Sequence, residues 1–316
     1  MIPGGMDVNT CPRGRGAASG AAMERAMRFQ ALRVRVRPYV LSTAVLATAL
    51  SAAVGAPPAA AQQTPPDEPG ATARLNSTPR HGEWVDVALP GSTTPIRTWV
   101  VYPERRDNAP VVIVIQEIYG LSDWIRGVAD QLAADGFIAL APDFLSGMGP
   151  GGGGTAAYAT RDDVVAGVRT LTPDESMRRL DAVFAYARTI PSASGRIGVV
   201  GYCWGGGTSF AYAVHQPELD AAVVYYGTSP SDAAAYRGIN APVLGLYGED
   251  DQRVNATIPT ARDAMGPLGK SYEVEIYPAA GHGFLRAQAD REGANMRATQ
   301  QAWPRTVAFF REHLGG

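Results

Sequence analysis

The hydrophobic positions change their period along the chain, and the changes mark out its parts. Tyr39 to Val54 form one apolar run, preceded by Arg28, Arg33, Arg35 and Arg37 and followed by Gly55, Pro57, Pro58 and the small residues Ala59, Ala60 and Ala61. A basic start, a short apolar stretch and small residues before a cut make the pattern of a secretory signal. The run is short for a membrane span and ends in helix breakers. Residues 62–80 are polar and proline-rich, which predicts a flexible lead-in. Two β-rich segments follow, Trp84–Leu89 and Ile96–Tyr102, with Pro90-Gly91 as the turn between them.

From Val111–Ile115 onward the pattern becomes one of continuous β-branched runs alternating with amphipathic ones, as strands buried on both faces require. Further strands are expected at Phe137–Ala141, Ile197–Val200, Ala221–Tyr225, Val243–Tyr247 and Tyr272–Tyr277. Asp123–Ala134 reads as a helix. Thr172-Pro173-Asp174-Glu175 reads as a capping box opening another, which would bury Met177, Leu180, Phe184 and Ala187. A last helical segment spans Arg291–Leu314, with a kink expected at Pro304. Ser146–Thr155 is glycine-rich but lacks the Gly-Lys-Ser/Thr ending of a phosphate loop, and is expected to be a mobile connection. Strands alternating with helices imply an α/β fold, a mostly parallel sheet with helices on both faces, in one domain over residues 81–316.

Composition narrows the function. Of 316 residues 46% are hydrophobic and 18% charged, and the net charge is −2, so the chain is neither disordered throughout nor equipped with a broad basic face for nucleic acid. Two cysteines exclude a disulfide framework and a four-thiolate zinc site. His81, His215, His282 and His313 stand far apart, so neither a metal nor another cofactor is expected. Loss of residues 1–61 would leave 255 residues with 21 basic against 28 acidic side chains, a balance of −7, and would take Cys11 away. The expected product is an exported protein, periplasmic or extracellular, with no membrane anchor and one thiol, Cys203. A lone thiol in an oxidising compartment calls for a use.

That use is suggested by its setting. The strand before Cys203 runs into Gly201-Tyr202-Cys203-Trp204-Gly205-Gly206-Gly207 and then into a helix-compatible run to His215. This is the G-x-nucleophile-x-G elbow with cysteine in the nucleophile's place, where small neighbours are needed because the turn is tight. A helix N-terminus favours a thiolate. An acid and a histidine should follow in that order. Strand Val243–Tyr247 ends in Gly248-Glu249-Asp250-Asp251, and strand Tyr272–Tyr277 leads to Ala280-Gly281-His282-Gly283-Phe284. Position alone leaves Glu249, Asp250 and Asp251 all open as the acid.

Four segments carry a resemblance: Gln116-Glu117-Ile118-Tyr119-Gly120, Ala139-Leu140-Ala141-Pro142-Asp143, Gly201-Tyr202-Cys203-Trp204-Gly205-Gly206 and Gly281-His282-Gly283-Phe284. Together they resemble the dienelactone hydrolase family of α/β-hydrolases, from about Trp84 to the C-terminus. The family's G-x-x-D-x-x-V pattern matches Gly248, Asp251 and Val254 and so selects Asp251. The resemblance implies that Glu117 meets the resting thiol's proton and helps form the thiolate. It implies an oxyanion hole from the backbone N–H groups of Ile118 and Trp204, and a substrate carboxylate held by Arg286. A second arginine would come from the loop before the capped helix, where Arg161 is best placed.

The reaction expected is hydrolysis of a small, carboxylate-bearing lactone or activated ester of the dienelactone or carboxymethylenebutenolide type, through a Cys203–His282–Asp251 triad and an acyl-thioester. A thiolate leaves a tetrahedral intermediate more readily than an alkoxide, so activated esters suit it and amides do not. A broad carboxylesterase or thioesterase on the same triad is the second reading. A catalytically silent binding protein on a hydrolase scaffold is a third. A redox thiol would lack a resolving cysteine once Cys11 is gone. The expected partner is a small molecule, and the expected state a monomer.

Overall fold

The computed structural model describes residues 63–105 and 107–315. The expected leader, residues 1–61 with Cys11, lies outside them. Within them, β1 (Gly82–Val87), β2 (Ile96–Val101), β3 (Ala109–Ile115), β4 (Ile138–Pro142), β5 (Ala193–Tyr202), β6 (Ala221–Tyr225), β7 (Val243–Gly248) and β8 (Tyr272–Tyr277) build one sheet. Its order is β1-β2-β4-β3-β5-β6-β7-β8. The β1–β2 and β2–β4 pairs are antiparallel and the rest parallel. The helices are α1 (Ala71–Ser77), α2 (Asp123–Ala134), α3 (Arg161–Arg169), α4 (Pro173–Ala187), α5 (Trp204–His215), α6 (Gln252–Asn255), α7 (Ile258–Met265) and α8 (Ala294–Leu314).

Strand side chains alternate between two cores, which is why the central strands are apolar at every position. Val111, Ile113 and Ile115 of β3 face the layer made by α4, α5 and α7, with Leu180, Val183, Phe210 and Ala261. Val112 and Val114 face α2 and α8, with Trp124, Val128, Trp303 and Phe310. The expected fold is therefore present, with both faces covered. The turn after β1 follows its chemistry as well: Gly91 takes φ +77° behind Pro90, and Ser92 N–H closes onto Leu89 C=O at 3.0 Å.

Several expectations need correction. The lead-in is folded over its described residues 63–80. Pro65 C=O accepts from Gln288, Pro66 C=O from Trp124 Nε1, each at 3.0 Å, and Ala71 is buried. Arg80 then pairs with the buried Asp130 at 2.6 Å. These partners lie far along the chain, so local composition carries no sign of them.

The glycine-rich stretch is fastened rather than mobile. Asp143 accepts from Thr155 N–H at 2.7 Å and Thr155 Oγ1 at 2.6 Å, and Thr155 Oγ1 accepts from Leu121 N–H. The capping box at α4 is only half formed. Thr172 accepts from Glu175 N–H at 3.2 Å, but the Glu175 carboxylate turns to Arg178 and Arg179. Arg161 begins α3, which Thr160 caps through Asp163 N–H, rather than lying in a loop. Helix α8 starts at Ala294, three residues later than expected, and contains Pro304.

The strand order reverses around β3: the connection to β4 leaves on one side and the return to β5 arrives on the other. A crevice opens at such a switch point, beyond the strands' C-terminal ends. Here it lies between the segment after β3, Gln116 to Gly120, and the start of α5. The two backbones meet closely, since a Cβ on Gly205 would stand 2.3 Å from Gln116 O and 2.5 Å from Ile115 O. Gly205→Ala should therefore destabilise the fold by about 3 kcal/mol or more. Gly266→Ala, at a position with open space and φ −54°, should shift it by less than about 1 kcal/mol. Chemical unfolding of the two variants beside wild type measures both.

Candidate active site

Only one residue separates β5 from α5. That residue is Cys203, at φ +55° and ψ −113°, a strained conformation for a side chain other than glycine. The turn closes because its neighbours are bare: a Cβ on Gly201 would lie 1.9 Å from Gly205 O, and one on Gly206 2.5 Å from Tyr225 O. Cys203 N–H donates to Tyr225 C=O at 3.1 Å. The N–H of Trp204, first residue of α5, and the N–H of Ile118 find no partner among the described residues. Ile118, Cys203 and Trp204 line one cleft, so two free donors stand beside the thiol at the positive end of a helix.

The histidine loop is held from both sides. Gly248, at the end of β7, presses on it so closely that a Cβ there would meet Ala280 O at 2.5 Å. Buried Asn295 accepts from Gly281 N–H at 3.0 Å and donates to Ala287 C=O at 2.8 Å, fastening the chain before and after His282. His282 Nδ1 lies 2.5 Å from Asp251 Oδ2, and the Cys203 thiol is near enough to the same ring to raise its affinity for a proton. Burial of the ring works against its charge, but the Asp251 and Cys203 contacts outweigh burial and push its pKa from 6.5 up to about 9. Glu249 and Asp250 are exposed, Asp250 paired with Arg291 and Glu249 accepting from Ala279 N–H. The three residues expected as a triad, Cys203, His282 and Asp251, thus come together with Asp251 as the buried carboxylate.

Glu117 departs from expectation. Its carboxylate is 2% exposed and lies 2.8 Å from Arg286 Nε, off the direction of the N–H, while no hydrogen bond joins it to Cys203 among the described residues. Burial lifts its pKa from 4.5 to about 7, with Arg286 and then His282 pulling the other way. A carboxylate so far from water needs a cation beside it, and Arg286 supplies one.

The two expected substrate arginines are also brought together. Both guanidinium groups face the ring of Tyr119, Arg161 at 3.5 Å and Arg286 at 5.2 Å from its centroid. Neither is unpaired, because both hold the carboxylate of Glu68, although Arg161 is itself exposed to solvent.

The cleft itself holds about 470 Å³ and is walled by Ile118, Leu171, Met177, Trp204 and Tyr226, with Arg253 as the cation among its lining residues. Tyr226 was not foreseen. It sits at φ +40° just past β6, its ring 5.2 Å from that of His282, its buried hydroxyl without a partner among the described residues. Glu68, Tyr119 and Asn295 were missed as well. A tyrosine pair ending a strand next to glycine, Tyr225-Tyr226-Gly227, was the one available hint; nothing marked Glu68 or Asn295.

Residues 96–314 match the Dienelactone hydrolase family. A protein of Methylorubrum extorquens named "Putative carboxymethylenebutenolidase" is 33% identical over 241 residues, covering 72% of this chain and 80% of its own. One of the same name from Salmonella typhimurium is 31% identical, covering 72% and 87%. The crystal structure of a "Putative Dienelactone Hydrolase" from Klebsiella pneumoniae superposes with a TM-score of 0.65 at 28% identity, over 74% of this chain and all of that one.

The raised value of His282 sets a pH dependence. A folded pKa above the unfolded 6.5 means that the charged ring stabilises the fold fully below pH 6.5, and that this contribution is lost as pH rises through about 9. In Asp251→Asn the His282 titration, followed by NMR, should move down from about 9 toward 6.5. The loss of stability between those values should shrink with it. An unmoved titration would contradict the pairing.

Proposed function

This chain belongs to the dienelactone hydrolase family, and from that premise we propose that it hydrolyses a small lactone or activated ester through Cys203, His282 and Asp251. Hydrolysis of a carboxylic ester is the activity of the family. The observation that carries the finer reading is the setting of His282: Asp251 holds one ring nitrogen at 2.5 Å, and the nearby Cys203 thiol raises the proton affinity of the same imidazole. A thiol, an imidazole that takes its proton and a carboxylate that orients the imidazole make an activated nucleophile.

In this reading the imidazolium faces a Cys203 thiolate. The thiolate attacks the ester carbonyl, forming the S–C bond, while the carbonyl oxygen takes the negative charge against the N–H groups of Ile118 and Trp204. Collapse of the intermediate breaks the C–O bond. His282 gives its proton to the departing oxygen, and an acyl-thioester remains on Cys203. Neutral His282 then takes a proton from water, the hydroxide attacks the thioester, and the acid leaves as the thiolate and imidazolium are restored. Glu117, buried and with its pKa raised to about 7, is a second acceptor for the thiol's proton whenever Arg286 moves off it. A lactone of the carboxymethylenebutenolide type suits this chemistry, because an enol oxygen departs readily. Whether the substrate also carries a carboxylate turns on Arg161 and Arg286.

The apolar walls of the cleft favour a second reading on the same triad, a carboxylesterase of broader range acting on neutral acyl groups. A silent binding protein is disfavoured by the complete set of three groups. Export to the periplasm or beyond, with cleavage near Ala61, is part of the proposal on the strength of the leader's pattern alone. It would leave the folded strap at the start of the mature chain.

Cys203→Ala and Cys203→Ser should each lower kcat/KM for an aryl ester by roughly a thousandfold or more. Trapping with acid during turnover should recover a thioester on wild type but none on Cys203→Ala. Full activity in Cys203→Ala would sink the proposal.

A further inference from the structure

Arg161 and Arg286 are 125 positions apart in sequence, yet their guanidinium groups share the face of one ring, Tyr119. Two planar cations at one ring, one of them (Arg286) also on Glu117 and four residues after His282, form a fork suited to a carboxylate. A carboxylate is already in it. One oxygen of Glu68 lies 2.9 Å from Arg161 Nη1, and the other accepts from Arg286 Nη1. Each oxygen takes one arginine, as the two oxygens of a substrate's carboxylate would.

Glu68 does not reach this place on a loose arm. Its N–H donates to Arg286 C=O at 3.0 Å. Just before it, Pro65 and Pro66 are tied by the Gln288 and Trp124 hydrogen bonds, and Pro66 packs where a side chain on Gly127 would lie 2.9 Å away. Just after it, Gly70 N–H is capped by Asp67 at 2.9 Å, and Thr72 binds Asp123 at 2.7 Å. A side chain delivered by an anchored backbone has an effective concentration of roughly millimolar or above, so a dilute free anion competes poorly. Charge is largely balanced too: Glu68 bridges Arg161 and Arg286, and Glu117, so far as it is ionised, offsets Arg286 as well. The cleft that Cys203 opens into is mainly apolar, with the hydroxyls of Ser176, Thr208, Thr228 and Ser229, and its cation, Arg253, is exposed to solvent, where screening weakens its pull.

We propose that Glu68 is a specificity-determining residue: it fills the arginine subsite with the chain's own carboxylate and so commits the enzyme to neutral esters and lactones. The proposal rests on the hydrolase reading above and adds its substrate class. It also reverses the carboxylate-bearing substrate that the two arginines alone would imply, because the subsite is present but occupied from within.

Hydrolysis of p-nitrophenyl butyrate and of mono-p-nitrophenyl glutarate, one neutral and one carrying a carboxylate, tests this on the mature chain. Wild type should have the higher kcat/KM for the neutral ester. In Glu68→Gln the ratio of anionic to neutral kcat/KM should rise roughly tenfold or more, the worth of one charged hydrogen bond regained by the substrate. Glu68→Asp, which keeps the charge, should return the ratio toward wild type, and adding Arg161→Gln to Glu68→Gln should erase the gain. An unchanged ratio in folded Glu68→Gln overturns the proposal. So does a wild-type preference of tenfold or more for the anionic ester, which needs no variant to fold. If wild type cleaves neither ester, the hydrolase reading fails instead. Calorimetric binding of glutarate then decides the subsite: binding to Glu68→Gln but not to wild type supports it, and tight binding to wild type refutes it.

Discussion

The backbone at Cys203 is the constraint on which the rest of the site depends. A strand cannot pass into a helix through one residue at φ +55° unless the surrounding chain gives way, and here it does so by carrying no Cβ at Gly201, Gly205 and Gly206. The strain costs about 1–3 kcal/mol. It is held in place by Cys203 N–H on Tyr225 and by the packing of α5 against the ends of β3 and β6. The consequences are chemical. The thiol is held at the turn near His282, and the next N–H, on Trp204, like that of Ile118, finds no acceptor among the described residues. A relaxed turn would pair those donors internally and draw the thiol back into the strand.

A second organising element is electrostatic. Glu117 sits at the end of a fully buried strand, where an unpaired carboxylate is costly, and Arg286 reaches it from the histidine loop. Arg286 has further capacity, as a guanidinium offers five donors, and Glu68 takes part of it while also engaging Arg161. Tyr119 lies under both cations. The cluster therefore links four pieces of chain: the strap, the segment after β3, the start of α3 and the loop that carries His282. Whatever changes the occupant of the arginine fork is felt at Glu117, and the proton affinity of Glu117 depends on Arg286 and His282.

Patterns of local origin could be read along the chain. Helix α2 begins and ends at the residues its pattern marks, β6 and β8 likewise, and the Pro90-Gly91 turn adopts the geometry its residues prefer. The elbow was visible because its steric demand falls on residues adjacent in sequence. The acid was harder to choose among three neighbouring carboxylates, since burial of Asp251 and exposure of Glu249 and Asp250 follow from the direction of the chain after β7. Readings failed where the deciding partner was distant. Glycine-rich composition suggested mobility at Ser146–Thr155, but Asp143 and Leu121 fasten its end. Proline and polarity suggested a loose lead-in, but Trp124, Gln288 and Asp130 hold it. Thr160 and Asp163 could have announced α3, and with it the true setting of Arg161.

By itself the sequence determined the layered α/β architecture, the elbow and the order in which a thiol, an acid and a histidine follow strands β5, β7 and β8. These depend on period, on side-chain size and on neighbours in the chain, which a linear text records. The tertiary structure alone decided what the charged groups hold. Glu117 pairs with a residue 169 positions away, and the arginine fork is filled by a glutamate 93 positions before Arg161 and 218 before Arg286. Such pairings join charges that lie close in space, Glu117 under the pressure of burial, and nearness in space is set by the packing of the whole sheet rather than by any local pattern.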